Sequence, residues 1–129
     1  MSKRDVIVDG RTISKGLADY SIDGWEDRIQ IERKSHEDLF GTIGSRRELF
    51  EAELQRLNMC EFAIVIVECS YAQLGQAPEN SQVRPISVMG SIDAWEQRYK
   101  VRWAFTGTRA LAERKAFRVL ERFWQDSQK

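Results

Sequence analysis

The spacing of apolar positions changes period several times along the chain, and each change predicts an element. Val6-Ile7-Val8 is a short apolar run between charged flanks, the pattern of an edge strand. From Arg28 to Lys34 the residues alternate, so Ile29 and Ile31 share one face while Gln30, Glu32 and Lys34 share the other. The Asp23-Gly24 turn signal ahead of this run predicts a β-hairpin that folds Asp19 back beside Glu32. Ser35 is placed to cap a short helix reaching Leu39-Phe40, and Gly41 to Gly44 is expected to break it. Ser45-Arg46-Arg47-Glu48 then reads as a capping box opening a second helix. Its apolar stripe is Leu49, Phe50, Leu54 and Leu57, with Arg46, Arg47, Glu51 and Arg56 left for solvent or substrate.

Phe62 to Val67 is continuously apolar and β-branched, as expected of a central strand covered on both faces. Residues 75–85 are polar and helix-breaking and predict a mobile surface loop. Ile86, Met89, Ile92, Trp95 and Tyr99 recur at helical spacing, and Val101, Trp103 and Phe105 alternate as a strand. Leu111, Phe117, Leu120 and Trp124 mark a closing amphipathic helix. Strands alternating with helices in the second half imply parallel crossovers, so the expected class is α/β, a mixed β-sheet flanked by helices. At 129 residues the chain predicts one domain, 1–129.

Composition removes several function classes. Twenty basic and twenty acidic side chains cancel, so no global cationic field draws the protein onto nucleic acid or anionic lipid. The charge is nonetheless uneven: Arg98 to Arg122 carries eight basic against two acidic side chains, a local +6. Arg114, Arg118 and Arg122 fall four apart on the last helix, a ridge able to track phosphates, although a solvated helix face accounts for the same pattern. Cys60 and Cys69 flank an extended strand and lie about 30 Å apart along it, too far for a disulfide. Reduced thiols, with no signal-peptide core and no long apolar run, lead to the expectation of a protein without membrane contact, cytoplasmic or, if a cellular genome encodes it, nucleoid or nuclear. No CxxC or His-rich spacing suggests zinc.

The chemistry concentrates around the hairpin. Asp19 precedes Glu32-Arg33-Lys34 by thirteen positions and Asp38 follows. Two carboxylates converging from adjacent strands suit a hard divalent cation, and Lys34 would sit beside the ion, able to orient the attacking water or stabilise charge on a scissile phosphate. The run Ala18-Asp19-Tyr20-Ser21-Ile22, then Ile31-Glu32-Arg33-Lys34-Ser35-His36-Glu37-Asp38-Leu39, resembles the GD…ERKxxxD signature of the XPF-type (xeroderma pigmentosum group F) nuclease domain. That family belongs to the PD-(D/E)XK, restriction-endonuclease-like superfamily. The similarity extends over roughly 16–124, with the motif-bearing hairpin at about 16–39. It implies a restriction-endonuclease-like fold and a Mg²⁺- or Mn²⁺-dependent DNA endonuclease acting on branched, forked or flap DNA. It further implies Asp19 and Glu32 as metal ligands, a catalytic set of Asp19, Glu32, Arg33, Lys34 and Asp38, and a homodimer or a heterodimer with a larger partner. The aromatic ends Trp103, Phe123 and Trp124 are candidates for that pairing, and Arg46, Arg47, Arg114 and Arg118 for DNA contact.

Departures from the family pattern bound these expectations. Ala18 stands where the family has glycine, and where the family has a strand ending in DxRE this chain offers Val6-Ile7-Val8-Asp9-Gly10-Arg11-Thr12, with no glutamate and with Asp9 as a doubtful third acid. The tandem helix-hairpin-helix tail through which many relatives grip DNA is not in this sequence, which ends at Lys129, so the grip is expected from elsewhere. A second string, Glu113-Arg114-Lys115, lies within a helical stripe without the hairpin and reads as a decoy. Glu32 and Lys34 also admit a reading as an exposed cross-strand charge ladder, and Asp38 one as a first-turn helix cap. Parity puts Arg33 opposite Glu32, so a supporting salt bridge suits it as well as a catalytic role. His36 is the lone histidine, Trp25 sits at the hairpin tip where an unpaired base could stack, and Glu68 ends the central strand near the expected metal centre. The competing class is a non-catalytic module that uses the same fold to bind DNA or scaffold a partner.

Overall fold

The computed structural model describes residues 6–8 and 18–129, and Asp9 lies outside them. A five-stranded mixed sheet forms the middle layer: β1 (Val6–Val8), β2 (Tyr20–Ile22), β3 (Ile29–Lys34), β4 (Phe62–Val67) and β5 (Arg102–Phe105), in spatial order of sequence. β1, β2 and β3 pair antiparallel, while β3, β4 and β5 pair parallel. The expected edge strand is therefore β1, and Phe62–Val67 is interior as its uninterrupted apolar run requires. Helices α1 (His36–Gly44) and α2 (Arg47–Leu57) make the crossover from β3 to β4, α3 (Pro85–Arg98) the crossover from β4 to β5, and α4 (Arg109–Ser127) closes the chain.

The sheet separates two cores. Ala63, Val65 and Val67 pack with Leu39, Phe40, Phe50, Leu54, Ile92 and Trp95 from α1, α2 and α3. The intervening Ile64 and Ile66 join Ile29, Ile31, Ala112, Ala116 and Leu120 beneath α4. Strand parity thus assigns each β4 side chain to one helical layer.

Several helix details differ from the sequence expectation. Gly41 and Gly44 do not break α1, which runs through both. Each costs about 1 kcal/mol against alanine in a helix, and each faces a close neighbour: a Cβ would stand 3.0 Å from the Arg46 guanidinium at Gly41 and 2.8 Å from Val83 at Gly44. Ser45 terminates α1 and does not cap α2, whose N-cap is Arg46 without a side-chain hydrogen bond. Leu49 is 73% exposed, because Phe50, Leu54 and Leu57 define the inward stripe and Leu49 lies a hundred degrees off it. Ile86 is likewise exposed, with Val88, Ile92 and Trp95 turned inward. The loop before α3 is anchored at both ends, by the 3-10 turn Ala72–Gly75 with buried Leu74 and by Val83 against the core.

On α4 the buried residues are Ala112, Ala116 and Leu120, while Leu111 and Phe117 stay exposed. Small side chains at i and i+4 let the helix lie close on the sheet, where the bulkier residues of the expected stripe would not fit. Ala116→Leu is therefore expected to destabilise by about 1–3 kcal/mol through overpacking, and Leu111→Ser to be near neutral. Urea unfolding of both variants checks this.

Candidate active site

The parallel strands end in one row, Lys34 beside Val67 and Val67 beside Phe105, and α1 starts immediately after β3. In open α/β sheets such carboxyl-end edges are where ligands bind. The hairpin turn is closed by Trp25 N–H to Ile22 C=O at 2.8 Å and by Gly24 at φ +84°, a left-handed conformation that glycine takes without strain. Antiparallel pairing of Tyr20 with Ile31 then sets Asp19 beside the end of β3.

Asp19 and Glu32 do meet. Their carboxyl groups share a hydrogen bond, and the Asp19 Oδ2 also accepts from the Arg33 backbone N–H at 2.9 Å. Glu32 is only 7% exposed. Burial, then the charges of Asp19 and Glu53, push its carboxyl up to about 10, with Lys34 acting in the opposite direction. A divalent cation would take the place of the proton that the pair shares. Among the described residues no group of three or more His, Cys, Asp or Glu side chains gathers to hold a metal. Two converging carboxylates with remaining ligands from water and phosphate nonetheless fit Mg²⁺, which dehydrates reluctantly.

Lys34 projects from the same strand face as Glu32. Its ammonium donates to Thr42 Oγ1 at 3.2 Å and lies 5.1 Å from the centre of the Phe50 ring. Arg33 turns to the α4 side, where its guanidinium donates to Tyr20 Oη at 2.6 Å and pairs with Glu68 at 3.1 Å and Glu113 at 3.2 Å. Its side chain therefore ties together β2, β3, α4 and the end of β4, while its backbone holds Asp19. Glu68, a candidate third acid, is committed to Arg33 and faces away from the carboxyl pair. Asp38 is exposed on the first turn of α1, its N–H capped by Ser35 Oγ at 3.0 Å, and does not join the pair.

The other candidates are dispersed. Arg46 lines a groove of about 360 Å³ together with Lys34 and Thr42. Arg47 is engaged with Glu51, Ser91 and the Trp95 face. Arg114 and Arg118 are on α4, across the sheet from Glu32 and Lys34. His36 packs edge-on against Phe40. Trp25 and Phe123 contact each other and Trp103 stacks on Trp95, so these aromatics are spent within the fold.

Gln30, Thr42 and Glu113 take part in the site without a signal in the motif that points to them. Gln30, buried on the Glu32 face, accepts from Ala18 N–H at 3.2 Å and donates to Glu26 C=O at 2.5 Å, fixing the approach to Asp19. Ala18 is itself buried, and it is not among the positive-φ residues, so the glycine of the family pattern is dispensable here. Thr42 is 1% exposed, a polar side chain at an inward helix position, which is the signal that could have marked it. Glu113 belongs to the supposed decoy, yet it serves the first motif through Arg33.

A mixed sheet flanked by helices on both faces is the architecture of an XPF-type nuclease domain of restriction-endonuclease-like fold. The chain belongs to the ERCC4 domain family, whose model matches residues 5–114. Its structure is similar to that of XPF from Aeropyrum pernix, at 25% identity and a TM-score of 0.61, covering 88% of this chain and 47% of that one. The same fold recurs in XPF from Aeropyrum pernix in complex with DNA, at 24% identity and a TM-score of 0.58, over 81% of this chain and 50% of that one. The chain thus spans about half the length of these structures. No curated protein matches the sequence. Among the described residues no helix is long and apolar enough to cross a membrane.

The raised Glu32 carboxyl has a consequence for pH. Glu32 binds its proton more tightly in the folded than in the unfolded chain, so its contribution is most favourable below the ordinary value of 4.5 and is lost as pH rises toward about 10. Metal-free protein is expected to melt at progressively lower temperature between about pH 5 and pH 9, and Glu32→Gln to flatten that slope. Circular-dichroism melts across the range read both.

Proposed function

We propose that this domain is the catalytic unit of a divalent-metal-dependent DNA endonuclease that hydrolyses phosphodiester bonds with water. The observation that carries the reading is the buried contact between the Asp19 and Glu32 carboxyls with Lys34 on the same strand face. Asp19 and Glu32 would hold Mg²⁺ or Mn²⁺, which supplies Lewis-acid polarisation of the phosphate and a more acidic water. Lys34 orients the attacking water or offsets charge developing on the phosphate. Thr42 and Phe50 hold that ammonium in place, so little reorganisation accompanies the reaction. Arg33 acts as a brace: its N–H fixes Asp19, and its side chain locks β2 and α4 to β3. Asp38, four residues after Lys34 in the first turn of α1, would support the site from outside the carboxyl pair.

Branched, forked or flap DNA is the proposed substrate, supported by membership of the ERCC4 domain family and by the likeness to an XPF determined in complex with DNA. Repair or recombination is the matching role. Pairing into a homodimer, or with a larger partner, would extend the DNA-binding surface beyond this domain.

Purified protein is expected to nick forked DNA only when Mg²⁺ or Mn²⁺ is added. Glu32→Gln and Lys34→Ala should each lower the rate on the order of 100-fold or more while leaving the fold intact. Thr42→Val should cost roughly 10-fold and Thr42→Ser restore most of it, because only the hydroxyl is needed. Gel assays of cleavage with melting curves as the fold control measure all three. Equal cleavage by wild type and the Glu32 and Lys34 variants would refute the enzyme. Calorimetry separates a scaffold: Mn²⁺ uptake by wild type that is lost in Asp19→Asn supports the metal site, and no uptake by either favours a non-catalytic module.

A further inference from the structure

The groove beside Lys34 has a second cation whose placement is built into α1. A Cβ at Gly41 would meet Nη2, Cζ and Nη1 of Arg46 at 3.0, 3.6 and 3.7 Å, so the guanidinium lies directly on the helix surface at that glycine. Gly41 is a poor helix former in the middle of α1, and the space it leaves is taken up by the Arg46 head. The next residue, Thr42, holds Lys34 at 3.2 Å. Two consecutive residues of one helix therefore seat two cations along one wall of a groove of about 360 Å³.

The groove carries the right chemistry for a phosphodiester strand. Arg46 is exposed and makes no ion pair with a carboxylate among the described residues, unlike Arg47, which is held by Glu51 and Ser91. Its planar fork is free to take two phosphate oxygens. Glu53 on the opposite wall has Arg56 three residues further along α2, so that wall is not uniformly anionic. Lys34, which shares its strand face with Glu32, lines the same groove.

We propose that Arg46, seated on Gly41, binds the phosphate next to the one addressed by Lys34, so that the α1–α2 corner grips one DNA strand through two successive phosphates. The inference rests on the nuclease reading for the role of Lys34, but its own readout is binding and not cleavage. Gly41 acts through Arg46 as a positioning residue.

The test uses the Glu32→Gln protein, which keeps DNA whole, and a fluorescent forked duplex titrated by anisotropy without divalent metal from about 50 to 200 mM salt. Arg46→Ala is expected to weaken binding and to lower the slope of log K against log salt by about 0.7–0.9, the signature of one lost phosphate contact. Arg46→Lys should keep the slope. Gly41→Ala should weaken binding on its own and add nothing to Arg46→Ala, since both act through one guanidinium. An unchanged slope in Arg46→Ala would overturn the proposal, as would a Gly41→Ala loss that adds in full to that of Arg46→Ala. Failure of the parent to bind the fork would overturn it too. Cleavage by the otherwise wild-type protein is scored separately: a slope change without cleavage leaves the phosphate seat standing and removes the nuclease reading, and cleavage without a slope change does the reverse.

Discussion

Two carboxyl groups pressed together where water is scarce are the constraint around which this fold is arranged. Each would prefer to stand apart, and the pairing of β2 with β3 keeps them in contact. The surroundings show how firmly that contact is imposed. Gln30 clasps the backbone one residue before Asp19, the Arg33 N–H holds Asp19 itself, and the Arg33 side chain reaches Tyr20 one residue after it. Three consecutive residues, Ala18, Asp19 and Tyr20, are thus each fastened to β3, the first by Gln30 and the other two by Arg33. The cost of holding like charges together is offset by a proton in the metal-free protein and, in the proposed enzyme, by a cation.

The motif strand divides its labour between the two faces of the sheet. Glu32 and Lys34 look toward α1 and α2, where chemistry is proposed, while Arg33 looks toward α4, where it makes structure. Tyr20, Glu68 and Glu113 converge on that one guanidinium from three elements. Burial raises the Tyr20 phenol, and Arg33 works against that shift. A motif written as three adjacent letters therefore serves two layers at once. α4, remote from the carboxyl pair, is coupled to it through a partly shielded network.

Much of this was legible in the sequence because it depends on local period. The hairpin, the alternation that separates Glu32 from Arg33, and the doubly covered Phe62–Val67 strand all follow from residues within a few positions of one another. What escaped the reading depends on contacts between distant segments. Gly41 and Gly44 looked like breakers because their partners, Arg46 and Val83, come close only once the chain has folded. Ala112 and Ala116 outranked Leu111 and Phe117 because the distance between α4 and the sheet, invisible in a helical stripe, selects small side chains. The approach of Asp19 to Glu32 and the shared face of Glu32 and Lys34 follow from spacing, but the positions of Thr42 and Gln30 do not, since a buried hydroxyl or amide declares its purpose only through its partner. Glu113 lies in a helix without the hairpin context of the first motif, yet the helix is the very place from which it meets Arg33.

The two-sided character of β3 also limits how this domain can change over time. Its side chains serve opposite layers in strict alternation, so inserting or deleting one residue ahead of Glu32 would exchange the faces, sending the acid and the ammonium beneath α4 and the arginine into the groove. Such a slip has no half-way form. Variation within this strand is thereby channelled into replacements at fixed length, while the connections on either side remain free to lengthen or shrink.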